Sequence, residues 1–192
     1  MQPHFLDSIF SIQKFSAAER EQIVSKYKLA EYPKNGYLLK AGQTATEYWF
    51  IESGYVRTYV IDTEGREICT NFYASGDVAI DWPSFFLRTP TREYIQAMTD
   101  CVCWKLDFDM FQQLFHSIES FREEGRTRLV KSYFTLKSHG ISIIADPAID
   151  RYKQLLAQKP DILQNVPLKY IATYLGITDT SLSRIRKEVA QQ

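Results

Sequence analysis

The chain has 192 residues, 23 basic and 23 acidic side chains for a formal net charge of zero, 45 % hydrophobic residues and 14 % aromatics. That content suffices for a globular core and excludes a long disordered or low-complexity protein. No apolar run reaches membrane-spanning length, and the start, MQPHFLDSIF, lacks the basic region and cleavage site of a secretory leader, so the expected compartment is the cytoplasm.

The first predicted elements are helical. Ser16-Ala17-Ala18-Glu19 is a capping box ahead of Ile23, Val24 and Tyr27, which predicts a helix over 17–27 with Phe5, Leu6, Ile9 and Phe10 packed beside it. From Glu31 to Leu106 short β-rich runs follow: YLLK, YWFIES, YVRTYVID, EICTNFY, YIQAM and CVCWKLD. Gly36, Gly42, Gly54, Asp62 to Gly65 and Gly76-Asp77 separate them. Such spacing indicates a sandwich, barrel or jelly roll, a form able to enclose a small molecule. Val56, Thr58 and Val60 alternate with Arg57, Tyr59 and Ile61, predicting a sheet whose two faces differ. Cys69, Cys101 and Cys103 lie in these runs, and their odd number argues against a disulfide framework. Two thiols on one strand face do not close a metal site, so buried structural cysteines are expected.

Phe108 to His139 turns helical. Phe111, Leu114 and Phe115 predict a short helix closing the roll. Ile118, Phe121, Gly125, Leu129, Ser132, Tyr133 and Leu136 then form a longer stripe, which either packs on the roll or pairs with a second copy. Gly140 and Asp146-Pro147 are the expected hinge. Beyond it, Ile149 to Gln158 predicts a helix with Tyr152, Leu155 and Leu156 as its core face, ended by Pro160.

The last stretch, VPLKYIATYLGITDTSLSRIRKEVA, predicts two short helices joined at Gly176. Ile171, Ala172 and Leu175 face one way on the first, and Leu182, Ile185 and Val189 on the second. Thr178 and Asp179 offer oxygens for the second helix's unpaired N–H groups, and the small Ala172 leaves room for a steep crossing. This is the pattern of a helix-turn-helix whose second helix enters the DNA major groove. Its candidate contacts are Thr178, Asp179, Thr180, Ser181, Ser183, Arg184 and Lys187, with Lys169 early in the first helix as a phosphate contact. The bland alternative is an αα-hairpin with a solvated polar face. Charge favours DNA: residues 1–116 hold 11 basic and 15 acidic side chains (−4), residues 117–192 hold 12 and 8 (+4).

With its glycines at Gly42, Gly54, Gly65 and Gly76-Asp77 and this succession of elements, the sequence resembles the Crp/Fnr family of bacterial transcription regulators. The resemblance implies an α+β fold: an N-terminal β-roll (a double-stranded β-helix or jelly roll) over 1–116, a long dimerisation helix over 117–140, and an all-α helix-turn-helix domain over 141–192. It also implies a homodimer on palindromic double-stranded DNA, with RNA polymerase as a further partner. The family's cyclic-AMP cassette falls, without gaps, at Ile80 and Asp81 for its Gly-Glu pair and at Thr91 and Arg92 for its Arg-Ser pair. Asp81 is a shorter carboxylate, and Arg92 comes one place late, which on a strand turns the guanidinium to the opposite face unless the register changes in Leu87 to Thr91. Cyclic AMP is therefore not the expected ligand. A pocket at Asp81, Trp82, Thr91 and Arg92 is expected to take another small-molecule effector or none.

No cofactor is expected. The family's iron–sulfur sensors need four cysteines, and haem needs axial ligands that the scattered His4, His116 and His139 do not suggest. An enzyme of the cupin type would need clustered metal ligands, yet no histidine lies between residues 31 and 106. The chain ends at Gln192, directly after the recognition helix, so a wing strand is not expected. The remaining rival is a small-molecule or protein-interaction module that does not bind DNA.

Overall fold

The computed structural model describes residues 5–191. Two helices open it, α1 (Phe5–Ile9) and α2 (Ala17–Val24). The capping box is formed as expected: Ser16 Oγ accepts the Glu19 N–H at 3.3 Å while Glu19 Oε2 accepts the Ser16 N–H at 2.8 Å. α2 stops short of Tyr27, which is drawn instead into the roll, its hydroxyl 2.5 Å from that of Tyr48.

The roll is built from β1 (Lys28–Tyr32), β2 (Tyr37–Leu39), β3 (Glu47–Ser53), β4 (Val56–Ile61), β5 (Glu67–Tyr73), β6 (Val78–Ala79), a short helix α3 (Trp82–Leu87), β7 (Tyr94–Ala97) and β8 (Cys101–Asp107). All strand pairs are antiparallel, in two four-stranded sheets ordered β1-β8-β3-β6 and β2-β7-β4-β5. Every expected run is a strand. The additions are β1, which starts before Glu31, the two-residue β6, and α3, each too short or too weakly patterned to be read as a period. The roll's core is aromatic, with Phe10, Tyr48, Trp49, Phe50, Phe85 and Phe111 all buried in one cluster.

The two faces of β4 differ as expected, Val56 joining the roll's core and Tyr59 a second cluster under the C-terminal helices, yet neither face is open to water. Val56, Arg57, Thr58 and Tyr59 are all buried, because the outer face of β4 and β5 is covered by the C-terminal helices rather than by water. After β8 come α4 (Phe108–Ser117), α5 (Glu119–Ala145), α6 (Ala148–Gln158), α7 (Pro160–Asn165), α8 (Leu168–Tyr174) and α9 (Asp179–Ala190), of which α6 to α9 supply the cluster on that outer face. α5 continues through Gly140 for 27 residues, so the only break on this side of α6 is at Asp146-Pro147. A lone glycine inside a long hydrogen-bonded helix costs about 1 kcal/mol, too little to interrupt it. Pro160 does separate two helices, but it opens α7 as its first residue. Leu156, expected in the core, is 39 % exposed, while Tyr152 and Leu155 are buried.

The α5 stripe divides. Ile118 and Phe121 join the roll's core, whereas Leu129, Val130, Tyr133, Phe134, Leu136, Ile141, Ile143 and Ile144 are exposed in the single chain. No helix among the described residues is long and apolar enough to cross a membrane.

Candidate nucleic-acid interface and effector cavity

α8 and α9 meet as the sequence predicts. The Gly176 N–H donates to Thr173 O at 3.1 Å and the Ile177 N–H to Ala172 O at 3.0 Å, a helix ending that needs a left-handed residue; Gly176 has φ +66°. Ala172 is fully buried at the crossing, beside Ile171, Leu175 and Leu182. Arg151 of α6 ties the turn down, its Nε donating to Leu175 O at 3.0 Å and its Nη1 to Asp146 O at 2.6 Å.

The candidate DNA residues divide by role. Thr178 caps α9, its Oγ1 accepting the Ser181 N–H at 3.2 Å and lying 3.0 Å from the Ser181 hydroxyl, so both side chains are engaged in the helix start. Asp179 sits in the first turn, where a carboxylate offsets the positive end of the helix dipole. With about 100° per residue, Thr180, Ser183, Arg184 and Lys187 fall opposite the face of Leu182, Ile185 and Val189, and all four are exposed. Arg184 and Lys187 form no ion pair or hydrogen bond within the described chain. Lys169 is exposed on α8, its Nζ 4.7 Å from the Tyr170 ring. Arg186 was not singled out from the sequence; it is exposed on the flank of the same helix, between the polar and apolar faces.

A cavity of about 750 Å³ lies between the roll, α5 and the C-terminal helices. All four expected pocket residues line it, but in unlike states. Asp81 is buried as the N-cap of α3, accepting the Ser84 N–H at 3.0 Å and the Thr91 hydroxyl. It is thus committed to holding its own loop. Thr91 points inward to Asp81, and Arg92 is exposed at the rim, the arrangement that ungapped register implies. Trp82 stacks on Phe86 at 5.7 Å.

Tertiary structure adds residues that no sequence pattern marked. Glu93 presents a mostly buried carboxylate, accepting the Thr70 hydroxyl at 2.6 Å. Burial pushes its pKa up; the Thr70 bond opposes that shift and the nearby Asp81 adds to it. Arg128, Lys131 and His139 enter from α5, with Lys159 and Tyr174 beyond. His139 stacks on Tyr174 at 4.2 Å, and burial, then the charge of Arg151, lowers its pKa. The cavity therefore offers a carboxylate inside and cations outside, able to orient a ligand with hydrogen-bond donors at one end and an anionic group at the other.

The raised pKa of Glu93 has a sign. Its ionised form is held less well folded than unfolded, so this cost is present above the folded pKa and vanishes as pH falls below the unfolded one. Glu93→Gln keeps an acceptor for Thr70 and is expected to raise the melting temperature at neutral pH. The gain should disappear at acidic pH; an equal gain at both pH values would contradict the assignment. His116 lies in the last turn of α4, and His4 lies outside the described residues. Cys69, Cys101 and Cys103 are buried free thiols, and no group of three or more metal-ligating side chains occurs among the described residues.

Comparison with known proteins agrees with this architecture. Residues 29–117 match the family model of the cyclic nucleotide-binding domain. The anaerobic regulatory protein of Aggregatibacter actinomycetemcomitans is 24 % identical, the alignment covering 92 % of this chain and 71 % of that protein. The solved structure of FixK2 from Bradyrhizobium japonicum superposes with a TM-score of 0.75 at 16 % identity, covering 86 % of this chain and 85 % of that one. A Crp/Fnr-family protein from Eubacterium rectale gives 0.69 at 16 % identity, over 92 % and 84 %. At such identities the structures speak for the fold. The chain thus carries a match to the cyclic nucleotide-binding domain followed by a long helix and a helix-turn-helix, and its fold is similar to that of these solved structures.

Proposed function

We propose that the protein is a transcription regulator that binds double-stranded DNA as a homodimer, each copy placing α9 in the major groove of one half of a palindromic site. The observation that carries this reading is the face of α9, where Thr180, Ser183, Arg184 and Lys187 are exposed together opposite a buried apolar face. The exposed apolar stripe of α5 supports pairing with a second copy, since a two-fold protein matches a two-fold site. The cavity is the effector site in this reading. Its inward Thr91 and outward Arg92 favour a ligand other than cyclic AMP, because a cyclic phosphate calls for a charge-assisted clamp inside. RNA polymerase is the expected further partner. No catalytic role is proposed.

Two substitutions test the division of labour on DNA. Arg184→Ala is expected to lose about 1 to 3 kcal/mol of discrimination against the wrong base, because a guanidinium reads guanine through two hydrogen bonds. Lys169→Ala should weaken binding to all sequences alike and shallow the salt dependence by about one unit of slope. Equal losses on specific and random duplex for both variants would defeat these roles. An interaction module without DNA affinity would show no steep salt dependence in any variant.

A further inference from the structure

β5 is the outer strand of its sheet, and an outer strand leaves backbone N–H and C=O groups open. Here α8 covers it. The Cys69 N–H donates out of the ladder to Thr173 Oγ1 at 3.2 Å. Beside it the Arg57 guanidinium, on a residue only 2 % exposed, lies between two rings: that of Tyr59 at 4.1 Å and that of Tyr170, from α8, at 3.8 Å. Gln96 Oε1 and Glu67 Oε2, each 2.7 Å from Arg57 Nη2, hold it there. Tyr174 packs on Phe72 at 5.3 Å, and Lys159 Nζ donates to Phe72 O at 2.5 Å and pairs with Asp77 at 3.5 Å. Tyr59, Cys69 and Phe72 share one apolar cluster with Ile162, Ile171 and Leu182, so lifting the helix-turn-helix off would expose apolar surface and uncover one face of a buried cation.

These contacts use the Tyr170, Thr173 and Tyr174 side of α8 and leave the exposed face of α9 free. We propose that they form a latch that holds the helix-turn-helix on its own sensor domain in the posture that binds DNA. Two recognition helices must be spaced by about one turn of DNA, roughly 34 to 36 Å. A unit swinging freely at the Asp146-Pro147 break would lose that freedom on binding, at a cost in affinity for a two-part site but not for random duplex. The latch also reaches the effector cavity, because Tyr174 and Lys159 form part of its wall. An occupant touching them gains those contacts only when α8 is docked, so it favours the docked posture by linkage.

The inference rests on the proposed DNA binding, and the test keeps the two apart. Amide exchange at Cys69 reports docking, and the ratio of affinities for the selected upstream fragment and for random duplex reports posture. Tyr170→Ala and Lys159→Met should each speed Cys69 exchange at least tenfold, leave exchange at Ile51 in the roll core unchanged, and lower the affinity ratio at least fivefold. Tyr170→Phe, which restores a ring over Arg57, should change neither by more than twofold. If Tyr170→Ala does not fold, Lys159→Met carries the comparison. Unchanged Cys69 exchange in a folded variant, or faster exchange with an unchanged or higher ratio, would overturn the latch. Failure of the parent protein to prefer any upstream fragment would defeat the DNA reading instead, and Cys69 exchange alone would then decide the docking.

Discussion

If the protein pairs through α5 as proposed, Phe134→Asp will yield a chain that folds but does not pair. Phe134 is 60 % exposed and Ile144 87 % exposed in the isolated chain, and both belong to a run of apolar side chains along α5. Val130, Phe134, Ile141 and Ile144 recur at intervals of four, seven and three, the spacing of a helix seam, with Leu129, Tyr133 and Leu136 alongside. A patch of this extent on a lone chain marks a place where another surface belongs. The substitution touches little within its own chain, so its effect on folding should stay within about 0.5 kcal/mol. In a two-fold dimer it acts twice, removing two phenyl rings and burying two carboxylates without partners. The dissociation constant should rise about a hundredfold or more. Sedimentation equilibrium alongside a far-ultraviolet CD spectrum checks this; a folded variant that still sediments as a dimer would place the interface elsewhere.

The second large effect is on stability. Gly54 turns β3 into β4 at φ +90°, and a Cβ there would stand 2.5 Å from Asp100 O, 2.6 Å from Cys101 Sγ and 2.9 Å from Thr99 Oγ1. Neither the carbonyl nor the buried thiol is the loose end of a flexible side chain, so the strands must move. Gly54→Ala should cost about 3 kcal/mol or more, the sum of an unfavourable left-handed backbone and overpacking. Gly42 has nearly the same dihedral, φ +87°, but nothing within 4 Å of the added carbon. Gly42→Ala isolates the backbone share and should cost about 1 kcal/mol. Equal losses in denaturant unfolding would show that the close contact at Gly54 does not matter.

Local chemistry made much of this molecule legible before its structure. The capping box at Ser16, the turn at Gly176, the small Ala172 and the cap at Thr178 are set by neighbours a few residues away, and all four appear as read. What depends on distant parts of the chain was not legible. Alternation along β4 marked two unlike faces but not what covers the outer one, where Arg57 meets Tyr170, more than a hundred residues later. Glu93, Lys159 and His139 carry no motif, and only the packing of α5, α7 and α8 against the roll brings them to one cavity. Gly140 resembled a hinge because a single glycine weakens a helix on paper; the continuous hydrogen bonds of α5 outweigh it.

The most direct test of the central claim is fluorescence anisotropy with DNA from upstream of the protein's own gene and random duplex as control, across a range of salt. A preference of at least about a thousandfold for a palindromic upstream fragment is expected at physiological salt, with affinity that falls steeply as salt rises. Equal affinity for both duplexes, or binding indifferent to salt, would contradict it.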